Sequence, residues 1–499
     1  MTEHVIARLS SGAVRGRRLD GRVSFRGIPY AAPPVGERRW RAPAPVEPWS
    51  GVRDAIEPGK PAPQAARSFA DAASVDEDCL TLDVTTPDVL GADRPVLVWL
   101  HGGGGTNGST ARDPRRLVAH DVVVVTPTYR LGVLGCFGHP GLADSGTFGL
   151  LDQQAVLRWV RREVERFGGD PGNVTLAGES YGAQMAIAHL VSPASAGLFH
   201  RVILQSPFAV LGTTPPHTFI PGVPALPPRW VPADDLARLG AATAVEHGWV
   251  EPGSTPEDAL ARLRQVPVAD LLQVSDAFIR PAFGGPALPE SPATALPAGR
   301  FHRVPVVLGG TRDEARFFVG LFADLAGRPV TAEDYPRLLA EAFGDAADEV
   351  AAHYPLDRFP TPSLAWAQVC TDRAWARPTR ELGNALATHT DTWCYEFADR
   401  DAPPLVPFPG FPTGAQHAAE LVYQFDFPGG PALSPAQEAF ADRVNRYWTT
   451  FAAHGDPAHP DLPGWPGFAT GHVQSLAPAR IGRVDHVAEH RLDFWARMP

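Results

Sequence analysis

The residue best placed for chemistry is Ser180, at the centre of a Gly-x-Ser-x-Gly motif. An apolar stretch beginning at Val174 precedes the motif and another follows from Ala183, which predicts a strand, a sharp turn and a helix. The turn requires Gly178 and Gly182 because a side chain at either position would collide with its neighbours, and its strain exposes the serine hydroxyl. The pattern is typical of a nucleophile elbow. A glycine turn that carries a solvated serine is the alternative interpretation.

A nucleophilic serine needs a base, and a third group must orient that base. On a sheet with this elbow, the acid and then the histidine follow the serine along the chain. The apolar strand Val306 to Leu308 leads to Asp313 and Glu314, and two adjacent carboxylates cannot both reach one imidazole. The residues alone leave these two as equal candidates. A further alternative is that both simply form surface ion pairs with Arg312 or Arg316.

The candidate base is His417. Among the histidines beyond the acid, it alone lies in a turn-rich loop, which begins at Pro412, after a late apolar strand from Trp393 to Phe397. The alternative interpretation is an ordinary polar histidine in a loop.

A glycine run can provide the donors for an oxyanion. The run from His101 to Gly105 directly follows the apolar strand Pro95 to Leu100, and glycines allow backbone N–H groups to converge on one point. The N–H of Tyr181 would be a further donor. No Gly-Lys-Ser/Thr sequence follows the run, which argues against a phosphate-binding loop.

The elements that must position these residues alternate between strands and helices. Helical spacing of apolar residues spans Gln154 to Phe167, and Ser434 to Gln437 is a capping box that predicts a helix to about Ala453. Alternation of this kind predicts an α/β fold with a mostly parallel, doubly wound sheet. We expect residues 1–499 to form one domain with helical and loop insertions, and residues 207–300, which begin with a proline-rich loop, to be an insertion or lid that borders the site.

Composition excludes several functions. The 499 residues carry a net charge of −11, which disfavours a nucleic-acid partner. The sequence begins without a signal peptide and contains no apolar run long enough for a membrane span, so we expect a cytoplasmic protein without a membrane partner. The four cysteines lack metal-binding spacing and are expected to be reduced and mostly buried: Cys79, Cys136, Cys370 and Cys394.

Together, several stretches resemble the type-B carboxylesterases, the cholinesterase-like branch of the α/β-hydrolases. They are Gly27 to Gly36, Glu77 to Leu80, Tyr129 to Gly132, Gly149 to Trp159 and Phe167 to Thr175. The resemblance extends over nearly the whole chain. It implies an α/β-hydrolase fold and the activity of a serine ester hydrolase.

The resemblance also implies roles for individual residues. Glu314 corresponds to the second, catalytic member of the family's Asp-Glu pair, and His417 is supported by the spacing His417-x-x-Glu420. Gly103 and Gly104 correspond to oxyanion-hole residues. We expect Glu179, Ser206 and Glu420 to lie just behind the catalytic residues, although structural hydrogen bonding would account equally well for Glu179 and Ser206.

The sequence also departs from the family. Tyr181 replaces the usual alanine after the nucleophile, and Gly105 stands where phenylalanine is common, so we hypothesise that the two positions compensate for each other. Cys79 has no upstream cysteine for the disulfide of secreted relatives. No tryptophan lies between Gln64 and Cys79, where cholinesterases bind choline.

The expected function is hydrolysis of a small-molecule carboxylic ester through an acyl-enzyme intermediate, without a metal or organic cofactor. An amidase or carbamate hydrolase would use the same residues and remains an alternative. A non-catalytic binding module is a further one, although it would be expected to have lost part of the triad. The chain is expected to be a monomer or a small homo-oligomer.

Overall fold

A computed structural model of the chain describes residues 3–67, 73–87, 93–212 and 225–498. Its strands are β1 (His4–Leu9), β2 (Gly12–Leu19), β3 (Arg22–Pro29), β4 (Val52–Asp54), β5 (Thr81–Pro87), β6 (Arg94–Leu100), β7 (Val123–Pro127), β8 (Gly169–Glu179), β9 (Arg201–Gln205), β10 (Val231–Pro232), β11 (Ala282–Phe283), β12 (Val306–Thr311), β13 (Thr392–Phe397), β14 (Val473–Ala477) and β15 (Arg480–Arg483).

The α-helices are α1 (Arg115–Val118), α2 (Gly132–Cys136), α3 (Phe148–Glu163), α4 (Tyr181–Val191), α5 (Ala233–Glu246), α6 (Pro256–Leu263), α7 (Val268–Leu271), α8 (Pro292–Ala295), α9 (Ala315–Val319), α10 (Asp334–Phe343), α11 (Ala347–His353), α12 (Pro362–Thr371), α13 (Arg377–Ala387), α14 (Leu421–Gln424), α15 (Pro435–His454), α16 (His486–Glu489) and α17 (Leu492–Trp495). Two π-helical turns occur at Gly320–Asp324 and Asp372–Ala376, and short 3₁₀ turns occur at Gly36–Arg38, Val164–Phe167, Pro193–Ser195, Leu272–Ala277, Gly344–Ala346, Leu356–Arg358 and Phe468–Thr470.

One large sheet organises the described residues. Its strand order is β1-β2-β3-β5-β7-β6-β8-β9-β12-β13-β14-β15, and β4 pairs with β2. From β7 to β14 every neighbouring pair is parallel, while the strands at both ends pair antiparallel. The predicted α/β fold with a mostly parallel sheet is confirmed. The carboxyl ends of parallel strands meet at one edge, where α/β proteins bind their ligands.

Helices cover both faces of the sheet. Along β6, Val96 and Val98 face a core that contains residues of α3 and α4, whereas Leu97 and Trp99 face a second core with α15. Alternate residues of a strand point to opposite faces, so a strand covered on both sides must be apolar at every position. This explains the continuous apolar runs that predicted β6, β7 and β9.

Helix α3 departs from its prediction at both ends. It begins at Phe148, ahead of the predicted Gln154, and its α-helical part ends at Glu163, with a 3₁₀ turn to Phe167. Gly168 then adopts a left-handed conformation (φ 80°) that ends the helix. The predicted capping box of α15 is confirmed.

The proline-rich part of the predicted insertion, residues 213–224, lies outside the described residues. After it, α5, α6 and α7 and the two-stranded sheet β10-β11 pack through a separate apolar cluster onto α2. That residues 1–499 form one domain, with a lid in this region, stays a prediction.

Two smaller predictions concern exposure. All four cysteines are buried and free, as expected. None of the helices in the described ranges combines the length and the apolar character that crossing a bilayer requires.

Candidate active site

Ser180 lies on the predicted elbow, between the end of β8 and the start of α4. Its backbone adopts φ 55° and ψ −118°, a conformation that residues with side chains rarely adopt. A Cβ added to Gly178 would lie 2.5 Å from the carbonyl carbon of Gly182, and one added to Gly182 would run into the carbonyl oxygen of Leu100. The close approach of strand and helix therefore demands both glycines, and Ser180 itself stays partly exposed.

Glu314 and His417 meet beside this elbow. The Glu314 Oε2 lies 2.5 Å from His417 Nδ1, and the backbone N–H of Thr311 donates to Glu314 Oε1 at 2.9 Å. The other ring nitrogen, Nε2, lies 3.1 Å from Oε1 of Glu179, the residue that precedes Ser180. The imidazole is thus held at Nδ1 by a carboxylate and presents Nε2 to the end of β8.

Asp313, the other acid candidate, points away from the imidazole. Arg400 donates two hydrogen bonds to its carboxylate, at 2.9 and 2.8 Å, and the N–H of Ala415 donates a third at 3.1 Å. Arg316 lies 3.2 Å away. Asp313 therefore fixes the loop, and of the two adjacent carboxylates only Glu314 reaches the histidine.

The glycine loop after β6 lies next to the elbow. Gly103, Gly104 and Gly105 have φ values of 99°, 67° and 84°, which glycine adopts without strain. The N–H of Asn107 donates to the Gly103 carbonyl at 3.1 Å and closes the loop. Within the described ranges the N–H groups of Gly103 and Gly104 donate no hydrogen bond, and the N–H of Tyr181 belongs to the first turn of α4, where no helical acceptor exists.

Comparison with known proteins gives one consistent result. The sequence profile described as "Carboxylesterase family" matches residues 3–495. The chain belongs to the carboxylesterase family. It is 32% identical to the fumonisin B1 esterase of Sphingopyxis macrogoltabida over 93% of this chain and 84% of that protein. It is 31% identical to the para-nitrobenzyl esterase of Bacillus subtilis over 93% of both chains.

A solved structure supports the same assignment. The structure of PNB esterase superposes with a TM-score of 0.76 at 29% sequence identity, covering 98% of this chain and 100% of the other. The predicted family is thus confirmed, and the protein is a carboxylic-ester hydrolase.

In this carboxylesterase, buried carboxylates surround the imidazole. Burial raises the pKa of Glu179 and of Glu420, and the charge of Glu314 adds to both increases. The charge of Glu179 also raises the pKa of Glu420, whereas that of His417 opposes the increase at Glu179. Burial alone would lower the pKa of His417, but the charges of Glu179 and Glu314 outweigh it and raise the pKa above its usual value. The titrations of these groups are therefore coupled.

Glu420 and Ser206 are the other residues that we expect just behind the catalytic residues. The side chain of Gln205 donates to Glu420 Oε1 at 3.2 Å. Ser206 is fully buried, and its N–H donates to the carbonyl of Gly309 at 2.7 Å. Its Oγ lacks a hydrogen-bond partner among the described residues, and the contact given for Oε1 of Glu179 is the ionic one with His417 Nε2.

An aromatic wall stands beside His417, and sequence reasoning missed it. The ring centroids of Phe318, Trp375 and Phe317 lie 5.2, 6.2 and 6.3 Å from that of the imidazole. Phe208 packs on Trp375 at 4.9 Å. These residues come from three distant segments, and no local pattern in the sequence connects them. An apolar wall suits an uncharged organic portion of a substrate.

Tyr181 and Gly105, the two departures from the family, touch each other. A Cβ added to Gly105 would lie 2.8 Å from Cε2 of the Tyr181 ring. The ring is almost fully buried, and its hydroxyl lies 3.6 Å from Cys136 Sγ. The tyrosine therefore occupies the volume into which a side chain at position 105 would extend, as the hypothesis of compensation requires.

Proposed function

We propose that the enzyme cleaves esters through an acyl-enzyme formed on Ser180. Its hydroxyl oxygen attacks the ester carbonyl carbon while His417 Nε2 accepts the hydroxyl proton. The C–O bond to the alcohol then breaks, and His417 returns the proton to the leaving oxygen. Water repeats the two steps on the acyl-enzyme and releases the acid. The observation that carries this proposal is the 2.5 Å contact of Glu314 with Nδ1 while Nε2 faces the elbow.

In this mechanism Glu314 keeps His417 in the tautomer that accepts at Nε2 and stabilises the imidazolium. The N–H groups of Gly103, Gly104 and Tyr181 stabilise the tetrahedral oxyanion. Removal of one such donor costs about 10²- to 10³-fold in rate. The two relatives described above are named esterases, which favours ester substrates over amides or carbamates.

The test is hydrolysis of p-nitrophenyl esters from acetyl to decanoyl by the wild type and by Ser180→Ala. We expect the substitution to lower kcat by about 10⁴-fold or more, because it removes the nucleophile. A fluorophosphonate should add one covalent adduct to the wild type and none to the variant, measured by intact mass. Equal activity of the two proteins would contradict the proposal, and faster cleavage of the matched anilides would favour an amidase.

A second, matched pair tests the assigned acid. Glu314→Gln and Glu420→Gln both neutralise a buried carboxylate near His417, but only Glu314 contacts Nδ1. We expect Glu314→Gln to lower kcat by about 10³- to 10⁴-fold, as replacement of a triad acid does elsewhere, and Glu420→Gln to cost much less. Equal losses would contradict the assignment.

A further inference from the structure

Two arginines lie side by side at the start of the small sheet β10-β11. The strands are parallel, with Val231 opposite Ala282. Arg229 and Arg280 each come two residues before these partners, and the N–H of Val231 donates to the carbonyl of Pro281 at 3.3 Å, so the two arginines lie on neighbouring segments. Their charges interact, since the charge of Arg280 lowers the pKa of Arg229.

Arg229 also lies against the nucleophile helix. Its Nε donates to the side-chain oxygen of Gln184 at 3.3 Å, and its carbonyl accepts from the side-chain nitrogen of Gln184 at 3.1 Å. Gln184 is one helical turn beyond Ser180, to whose carbonyl its N–H donates at 3.0 Å. Arg229 is therefore fixed to the helix that carries the nucleophile.

The guanidinium of Arg229 faces the active-site walls. Its Cζ lies 5.4 Å from the centroid of Phe208, which continues the aromatic wall beside His417. The charge of Arg229 also acts on Tyr181, and that of Arg280 acts on Cys136, the thiol next to the Tyr181 hydroxyl. Arg229 thus contacts both Phe208 of the aromatic wall and Gln184 of the helix that follows Ser180.

Neither arginine has a carboxylate partner within 4.0 Å among the described residues. The carboxylate whose charge acts on Arg280 is Asp235, which pairs with Arg238 instead. Residues 213–224, which precede Arg229, contain no aspartate or glutamate. Arg130, which is also buried in this acidic chain, has such a partner in Asp152 at 2.7 Å.

This arrangement has an electrostatic cost that an anion would remove. Burial and, to a smaller extent, the charge of Arg280 lower the pKa of Arg229 to about 10, although Tyr181 opposes the decrease. Burial also lowers the pKa of Arg280. A carboxylate would supply the ionic partner that neither guanidinium has within 4.0 Å among the described residues, and each guanidinium can bind a carboxylate through paired N–H donors.

We propose that Arg229 and Arg280 bind a carboxylate on the substrate, so that the enzyme prefers anionic esters such as half-esters of dicarboxylic acids. This inference rests on the proposed ester hydrolysis and adds the substrate class. Its chemistry fits a carboxylate on either the acyl or the alcohol portion, and the substrates below separate the two.

The experiment compares kcat/KM for mono-p-nitrophenyl glutarate and for its neutral methyl ester. The wild type should prefer the anionic substrate by about 10- to 100-fold, the worth of charged hydrogen bonds, and the preference should decline with salt. Arg229→Gln and Arg280→Gln should each remove most of the preference for the anionic substrate, and Arg229→Lys should keep part of it. Arg337→Gln is the matched control, because Arg337 is exposed and already paired with Asp334 and Glu341, and it should leave the ratio unchanged.

A preference for 4-carboxyphenyl acetate over phenyl acetate would place the carboxylate on the alcohol side instead. No anionic preference in either series would overturn the inference, as would parallel losses on charged and neutral esters in both arginine variants. Calorimetry of the binding of both glutarates to Ser180→Ala distinguishes a missing anionic preference from failure of the proposed ester hydrolysis. Binding can be measured without turnover. Equal affinity for the charged and neutral compounds would overturn the inference even if the wild type were inactive.

Discussion

At the scale of single residues, Glu179 has the most unusual position. It is buried, and its Oε1 lies 3.1 Å from Nε2 of His417, the nitrogen that must accept the serine proton. A carboxylate at this position stabilises the imidazolium and so opposes the neutral form that acts as a base. The same charge would stabilise the imidazolium that forms in the transition state. The residue therefore sets the pH range in which His417 is available.

Glu179→Gln should shift the acidic limb of the kcat/KM profile to lower pH. The substitution removes a negative charge that raises the pKa of His417, so the histidine becomes neutral at a lower pH. Glu420→Gln is the control, because the charge of Glu420 contributes least to the pKa of His417. The acidic limb of this variant should therefore move less than that of Glu179→Gln. The measurement is kcat/KM for p-nitrophenyl butyrate from pH 5 to 9. A limb that stays in place in Glu179→Gln would refute this account.

Gly105→Phe should destabilise the protein unless Tyr181 is also reduced. The added Cβ would lie 2.8 Å from the Tyr181 ring, and φ at this position is +84°. Overpacking costs about 1–3 kcal/mol and the backbone strain a similar amount. In the double variant, Tyr181→Ala should restore the part of the free energy of unfolding that is lost to overpacking. It should also shift the preferred acyl length. Urea unfolding and the p-nitrophenyl ester series measure the two effects; strictly additive effects, or an unchanged acyl preference in Gly105→Phe, would exclude compensation.

At the scale of elements, the capping box of α15 gives a clean test. The Ser434 side chain accepts from the N–H of Gln437, and the Gln437 side chain bonds back to the N-cap. Ser434→Ala should lower the free energy of unfolding by about 1 kcal/mol without changing kcat. Ser291 is the matched control, since it also precedes a helix with proline at its first position but makes no side-chain cap bond. Equal losses in the two variants would argue against the cap.

The sequence predicts elements well where a local pattern is the physical cause. Strands β6, β7 and β9 are apolar throughout because both faces are covered, and the elbow needs its two glycines for close packing. The predicted start of α3 was wrong because most residues of its first turn, which begins at Phe148, are buried. That turn therefore shows no alternation between an apolar and a polar side. Periodicity detects only helices with one apolar side.

The candidate site was harder to predict from the sequence, because its residues meet only in the folded chain. The residues alone could not separate Asp313 from Glu314, because the separation depends on Arg400, 87 residues away, which holds Asp313. The aromatic wall and the arginine pair likewise combine segments that only the fold brings together. Resemblance to a family could supply the acid, but not Arg229 or Arg280, which the family motifs do not include.

At the scale of the whole molecule, a buried ion network joins the C-terminal segment to the sheet. His490, between α16 and α17, contacts Asp372 at 2.6 Å through Nδ1 and Glu396 of β13 at 2.5 Å through Nε2. Burial alone would lower the pKa of His490, but the charges of Asp372 and Glu396 outweigh it and raise the pKa well above its usual value. The network lies next to Arg312, which begins the loop that carries Glu314.

This network should make stability depend on pH in the alkaline range. A histidine whose pKa is raised in the folded state contributes stability that is complete below its unfolded pKa of about 6.5 and is lost as the pH rises through the folded value. The free energy of unfolding of the wild type, relative to His490→Gln, should therefore fall as the pH rises from 6 to 10. Urea unfolding at each pH measures it. His389→Gln is the control, because His389 has no carboxylate partner in the described ranges and should give a difference without this decline. A constant difference for His490→Gln would mean that His490 is neutral in the folded protein and that Asp372 or Glu396 carries the proton instead.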